Sequence, residues 1–236
     1  MVHQQYNKYY SHSLGRDIEM LTYGHWGYPI LLFPTSSGNY QQAKEMRLLH
    51  AIAPLVDAGK YKIYCVDTND ADSWYCSDIS PAEKVINHIK FDQFLSSELI
   101  PYIQNECNVE KIGVAGCSFG GYHAANFAFK HPYFVAYLIS LSGIFDLTSF
   151  MNGYYDDNYY FNNPADFMKN EQGWRYNHMN IILGTSELDI CLDQNIEMSS
   201  TLNRLGIEHW LDIRGHEKHD WPLWQSMLHY YLSRIL

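Results

Sequence analysis

Residues 114–132, "VAGCSFGGYHAANFAFKHP", set one serine among three glycines. Glycine weakens a strand or helix by about 0.5–1 kcal/mol relative to alanine, so three of them around Ser118 call for a local reason. The stretch begins in an apolar segment, KIGVA, and ends in an alanine-rich one, GYHAANFAFKH, which reads as strand passing into helix. Gly116-Cys117-Ser118-Phe119-Gly120 is then a G-x-S-x-G on a sharp strand-to-helix turn, with the serine hydroxyl raised above a sheet. Side chains at 116 and 120 would collide where the two elements approach. The Phe119 amide, at the helix N-terminus, points to where a negative charge could develop. The bare five-residue pattern arises by composition in roughly one chain in twelve of this length, so the strand–helix context carries the reading.

Outward from this turn, short apolar runs alternate with helical patterns. Ile18–Tyr23, Ile30–Phe33, Tyr61–Val66, Lys111–Ala115, Phe134–Leu141, His178–Leu183 and Glu208–Ile213 read as strands, most of them buried on both faces. Residues 80–106 read as a helix with Ser80 as cap, Pro81 in its first turn, Glu83 closing a capping box and a kink at Pro101. Residues 192–206 form a second helix stopped by Gly206, and a last helix starts near Pro222. Strands alternating with helices imply an α/β fold: a mostly parallel central sheet, an antiparallel N-terminal edge and helices on both faces. The two N-terminal strands have no helix between them and are expected to form that edge as a hairpin. With no linker or repeat, residues 1–236 are expected to form a single domain. In such sheets, function gathers at the carboxyl ends of the strands.

The totals narrow the function classes. The chain has 236 residues, with 16 Lys+Arg against 26 Asp+Glu and a formal charge of -10, and no basic run. Nucleic acid is therefore excluded as an expected partner, because phosphate binding needs clustered cations. Five scattered cysteines without C-x-x-C spacing read as reduced thiols, giving neither a disulfide frame nor a zinc signature. No segment has signal-peptide or membrane-spanning character, so a cytoplasmic location with no membrane partner is expected.

A serine alone is inert at neutral pH and needs a base and an orienting acid. The base belongs in a loop after the last strand, where "RGHEKHDWPLW" offers His216 and His219; His219, just before the final helix, is favoured. The acid belongs after the preceding strand, where "SELDICLDQN" offers Glu187, Asp189 and Asp193. Asp193 is expected to cap the next helix, leaving Asp189 first and Glu187 in reserve. A second amide for an oxyanion hole would come from "FPTSSGNY", with Ser36 nominated and Ser37 its competitor. Cys117 is out of frame for the turn and is not the expected nucleophile.

These residues resemble the "putative-esterase" (esterase D-like) branch of the α/β-hydrolase superfamily. The matching segments are "FPTSSGNY", "GVAGCSFGGYHAANFAFKHP", "SELDICLDQN" and "HDWPLW", spread over most of the chain. The order Ser118, Asp189, His219 is the one this superfamily uses. The resemblance implies the α/β-hydrolase fold and a serine esterase acting on small-molecule carboxylic esters through an acyl-enzyme, without metal or cofactor. It implies Ser118 as nucleophile, His219 as base, Asp189 as acid and the Phe119 and Ser36 amides as oxyanion hole, with Trp221 buttressing the histidine loop. An acyltransferase with the same triad, or a non-catalytic binding protein on the same fold, are the alternatives.

Two further segments stand out. Residues 142–167, "SGIFDLTSFMNGYYDDNYYFNNPADF", follow a strand at the same end and carry Tyr154, Tyr155 and Tyr159. These three tyrosines are nominated to line a substrate pocket that the segment roofs; the alternative is that it packs its rings inward. Residues 66–78 cluster Asp67, Asp70, Asp72 and Asp78; lacking the glycine and terminal glutamate of a calcium loop, they are read as turn-forming and solvated.

Overall fold

The computed structural model describes residues 3–235. Eight strands form one sheet: β1 (Gln4–Ser11), β2 (Arg16–Tyr23), β3 (Tyr28–Phe33), β4 (Tyr61–Val66), β5 (Ile112–Cys117), β6 (Val135–Leu141), β7 (Asn180–Leu188) and β8 (Trp210–Lys218). Their order is β1-β2-β4-β3-β5-β6-β7-β8. From β4 to β8 every neighbouring pair is parallel, while β1/β2 and β2/β4 are antiparallel. This is the α/β-hydrolase fold.

The antiparallel edge exists, but its members differ from those expected. β2 pairs with β1 and β4, not with β3. β3 lies inside the parallel sheet between β4 and β5. The hairpin partner is β1, whose sequence QQYNKYYS is polar and mostly exposed. An edge strand with little to bury carries no apolar signature, so the continuous apolar run that betrays the central strands is absent.

The helices are α1 (Gln42–Glu45), α2 (Leu48–Asp57), α3 (Pro81–Phe94), α4 (Ile100–Cys107), α5 (Phe119–Lys130), α6 (Asp157–Tyr160), α7 (Pro164–Phe167), α8 (Leu192–Arg204) and α9 (Trp221–Ile235). Leu236, at the end of the expected last helix, lies outside the described residues. On one face, α2 and α9 pack Ile52, Val56, Met227 and Tyr231 against Ile30, Leu32, Ala115 and Ile139. On the other, α3, α4, α5 and α8 pack Phe91, Ile103, Phe127 and Leu202 against Leu31, Phe33, Val114 and Leu138. Successive residues of β3 and β5 thus feed opposite cores, which is why these strands read as continuous apolar runs.

The capping box at Ser80 is present: the Glu83 amide donates to Ser80 Oγ and the Ser80 amide to Glu83 Oε2. The break near Pro101 begins earlier than expected, in a π-helical turn over Leu95–Leu99. Ser96 and Ser97 donate their hydroxyls back to the carbonyls of Asp92 and Gln93, which loosens the helix ahead of the proline. Asp193 does not cap α8. The N-cap is Cys191, and Asp193 is exposed in the first turn.

Candidate active site

Ser118 lies between β5 and α5 with φ 55° and ψ -120°. Non-glycine residues avoid that conformation at a cost of about 1–3 kcal/mol. The turn holds it: the Ser118 amide donates to the Leu141 carbonyl at 2.7 Å, and the Ser118 carbonyl accepts from the Gly121 amide at 2.9 Å. A Cβ on Gly116 would overlap the Gly120 backbone, and one on Gly120 would overlap the carbonyls of Phe33 and Pro34. The two glycines are therefore sterically required. Gly120 is pressed by the loop after β3, so the same contact also sets how near that loop comes to the serine.

His219, which lies in the two-residue bend between β8 and α9, has its Nε2 2.9 Å from Ser118 Oγ and its Nδ1 2.8 Å from Asp189 Oδ1. An ionised carboxylate only accepts, so Nδ1 carries the proton and Nε2 is left to accept from the serine hydroxyl. Asp189 follows β7 and is buried. Burial pushes its carboxyl up, but hydrogen bonds from His219, Ser142 and the Cys191 amide outweigh it and hold it below the ordinary value. Ser142 Oγ donates to Asp189 Oδ2 and accepts from Trp224 Nε1 at 2.8 Å.

The competing candidates fall elsewhere. His216 is exposed and sits 3.5 Å from Glu187, also exposed, so these two pair with each other away from Ser118. Trp224, one turn beyond the expected Trp221, is the ring edge-on to His219, with centroids 4.9 Å apart; Trp221 in turn meets Trp224 edge-on at 5.1 Å.

At the oxyanion side, Phe119 opens α5, where first-turn amides lack helical partners. The Ser37 amide donates to Asp70 Oδ2 at 3.3 Å. The Ser36 amide makes no hydrogen bond to another described residue, and Ser36 Oγ accepts from the Tyr75 hydroxyl at 2.8 Å. Asp70 is not the solvated turn residue expected from its acidic neighbours. Its side chain is 1% exposed and 2.7 Å from His123 Nε2 on α5.

Residues 142–167 pack inward more than they roof. Tyr159 is wholly buried with Trp74, Phe119 and Tyr122, which corrects its assignment to a pocket wall. Tyr154 and Tyr155 donate to Asp156 and Asp166 of the same segment. Phe150, not one of the nominated tyrosines, reaches Phe119 (5.6 Å) and Tyr75 (5.2 Å). Tyr75 in turn packs on Phe119 at 5.0 Å. Tyr75, Phe150, Ser142, Trp224 and His123 carry no role in the sequence analysis, and Asp70 stands there only as a turn former. An aromatic residue two positions beyond a serine in "DSWYCSD" was the sole hint for Tyr75.

Among the described residues, one donor set could hold a metal ion: Asp189, Cys191 and His219, whose ligand atoms lie within 4.8 Å of one another. Two of the three already share a proton, and burial, then the Asp189 charge, pushes the Cys191 thiol up to about 12. The arrangement favours proton transfer over ligation, since a thiol must ionise to bind metal.

Residues 11–233 match the family described as "Putative esterase". No curated protein matches the sequence. A ferulic acid esterase superposes with TM-score 0.78 at 17% identity over 100% of both chains. An S-formylglutathione hydrolase from Staphylococcus aureus gives 0.75 at 15% identity, over 98% of this chain and 96% of that one. Another from Agrobacterium tumefaciens gives 0.73 at 14%, over 98% and 94%. At these identities the likeness is one of fold.

Proposed function

The chain belongs to the "Putative esterase" family and is a carboxylic ester hydrolase, and on that premise we propose that Ser118, His219 and Asp189 are its catalytic triad. The observation that carries the reading is the unbroken path from Ser118 Oγ through the imidazole to the buried carboxylate, with 2.9 and 2.8 Å links.

Ser118 Oγ attacks the ester carbonyl carbon as its proton passes to His219 Nε2. Asp189 holds the ring by Nδ1–H and stabilises the imidazolium that forms. The carbonyl oxygen becomes an oxyanion between the Phe119 and Ser36 amides; such donors act in a dry site without reorganising, and losing one typically costs about 100- to 1,000-fold in kcat. His219 then protonates the departing alkoxide and the C–O bond breaks, leaving an acyl-serine. Water, deprotonated by His219, attacks that acyl group, and the serine leaves with the proton restored. The half-exposed ring of Tyr75, with Phe119 and Phe150 behind it, forms the apolar wall available to a small-molecule ester.

Labelling with a fluorophosphonate, read by intact mass, tests the assignment. One adduct on the native protein, absent from Ser118→Ala, is expected, together with hydrolysis of p-nitrophenyl acetate by the native protein alone. Hydrolysis retained by Ser118→Ala would overturn it.

Among the described residues, no helix is long and apolar enough to cross a membrane. The five cysteines are free, which supports a reducing cytoplasm, and among the described residues one sheet carries every strand, which supports reading 1–236 as one domain.

A further inference from the structure

An oxyanion hole works only if its amides stay aimed while charge develops, and the two amides here come from elements far apart in sequence. Phe119 is fixed by α5. Ser36 lies on an irregular loop after β3, whose backbone no strand pairing holds. The turn after β4 reaches that loop at two adjacent residues. Asp70 Oδ2 accepts the Ser37 amide, and the Tyr75 hydroxyl donates to Ser36 Oγ. The turn is itself closed, because the Asp70 carbonyl accepts the amides of Ser73 at 3.2 Å and Tyr75 at 2.9 Å. Its third attachment is Asp70 Oδ1 to His123 Nε2 at 2.7 Å, and His123 lies on the helix that begins beside Ser118.

The pair is fully interior. Asp70 and His123 are each 1% exposed, and the His123 ring is surrounded by Phe33, Phe91, Phe119 and Tyr122. Burying such a pair rarely adds stability over apolar residues of similar volume. Its distinctive property is directional: each Asp70 oxygen is committed to a different element.

We propose that Asp70 and Tyr75, anchored to the nucleophile helix through His123, are positioning residues that hold the Ser36–Ser37 loop so that, of its two serine amides, Ser36 alone joins Phe119 in facing the oxyanion. The proposal rests on the triad reading. It also explains why Ser37, the other candidate, is unavailable: its N–H is already spent on Asp70. The Ser36 hydroxyl is tied back to Tyr75, so the residue presents its amide rather than its side chain.

The test compares Asp70→Asn, His123→Phe, His123→Gln and Tyr75→Phe with the native enzyme and with Ser118→Ala. Three quantities are read: kcat and KM on a p-nitrophenyl ester, inhibition by a trifluoromethyl ketone whose hemiketal oxyanion occupies the hole, and the melting temperature. Asp70→Asn and His123→Phe are expected to lower kcat about 10- to 100-fold, weaken ketone inhibition by a similar factor and leave KM within about twofold. His123→Gln, which keeps a donor toward Asp70, should recover most of that loss. Tyr75→Phe should lose about three- to tenfold in both measures. Melting temperature alone falling, with kcat and ketone inhibition native, would overturn the proposal. If the interior variants fail to fold, Tyr75→Phe, which removes only the hydroxyl of a half-exposed residue, decides it: native ketone inhibition there refutes the positioning role. Ester hydrolysis surviving in Ser118→Ala would instead refute the triad, so the two failures are told apart.

Discussion

Ser118 stands between two hydrogen-bonded networks of opposite construction. On the acid–base side, His219, Asp189 and Ser142 from three loops and Trp224 from α9 are linked end to end by their own polar atoms. On the proposed oxyanion side, the donors are main-chain amides, and the Asp70 and Tyr75 side chains bond to the loop that carries one of them. The difference follows from the task. A proton must leave one atom and return to it, so the base needs a titratable group with a defined tautomer. A developing oxyanion needs only fixed dipoles, and backbone N–H groups supply these without side-chain entropy. One network is chemistry made from side chains; the other is geometry enforced by them.

The sharpest way to break the acid–base side is at its centre. His219→Ala is expected to lower kcat by about 10⁴-fold or more, and Asp189→Asn by about 10⁴-fold, because an amide would hold the wrong tautomer. Steady-state hydrolysis checks both. The double variant should be scarcely worse than His219→Ala, since the two act as one unit. Additive losses would show that Asp189 works independently of the histidine. No single change on the oxyanion side should approach these effects.

The next largest effect falls where the two networks meet. Gly120→Ala pushes a methyl group into the carbonyls of Phe33 and Pro34, which are backbone and cannot swing aside. The expected cost is about 2–4 kcal/mol of folding stability, read as a lower urea midpoint. In the fraction that remains folded, displacement of the β3 loop should weaken trifluoromethyl ketone inhibition more than it raises KM. A variant as stable as the native protein would mean that the loop yields easily, and the rigid picture of the oxyanion side would fail.

What could be read from the chain follows the same division. Gly116, Ser118 and Gly120 form a local pattern, imposed by one tight crossing. His219 and Asp189 lie far from Ser118 in sequence, yet connection order and strand ends restrict where they can fall, so few residues compete. Asp70 and His123 have no such rule. They are 53 residues apart, and nothing nearby marks Asp70 as interior rather than as one more acidic turn residue. Ser142 and Trp224 were hidden for the same reason, since a supporting hydrogen bond leaves no periodic trace. The β1 edge was missed because its face is polar, and Tyr159 was misjudged because an aromatic-rich loop looks the same whether its rings face a pocket or a core.

Ser142→Ala sharpens the acid–base side with a smaller effect. Removing the hydroxyl strips one donor from Asp189 and one acceptor from Trp224, for a loss of about 1–3 kcal/mol. The pH dependence separates the two parts. Asp189 is held below the ordinary aspartate value, so the folded protein binds fewer protons than the unfolded chain in that range. That contribution is present above the unfolded value, near 3.9, and is lost as pH falls through the lower folded one. With Ser142 gone, the folded value moves up and the contribution shrinks. The gap in melting temperature between native protein and variant should therefore be widest near neutrality and narrow below about pH 4. A gap that stays constant with pH would assign the whole effect to the orphaned indole.

The smallest expected effects concern the segment over residues 142–167, and they test whether any of it belongs to the oxyanion side's apolar wall. Tyr155 is exposed and hydrogen-bonded within its own segment, so Tyr155→Ser should change stability by under about 0.5 kcal/mol and leave KM for short and long esters alike. Phe150 touches both Tyr75 and Phe119, the rings nearest the proposed hole. Phe150→Ala should raise KM about two- to fivefold for esters with a bulky acyl group, with little change for acetate, because one buried ring face is worth about 1 kcal/mol to a ligand. If Tyr155→Ser shifts the preference and Phe150→Ala does not, the segment covers the site from outside as a roof. The reverse outcome makes it a wall whose inner residue alone faces the substrate, and places specificity on the rings that already brace the loop bearing Ser36.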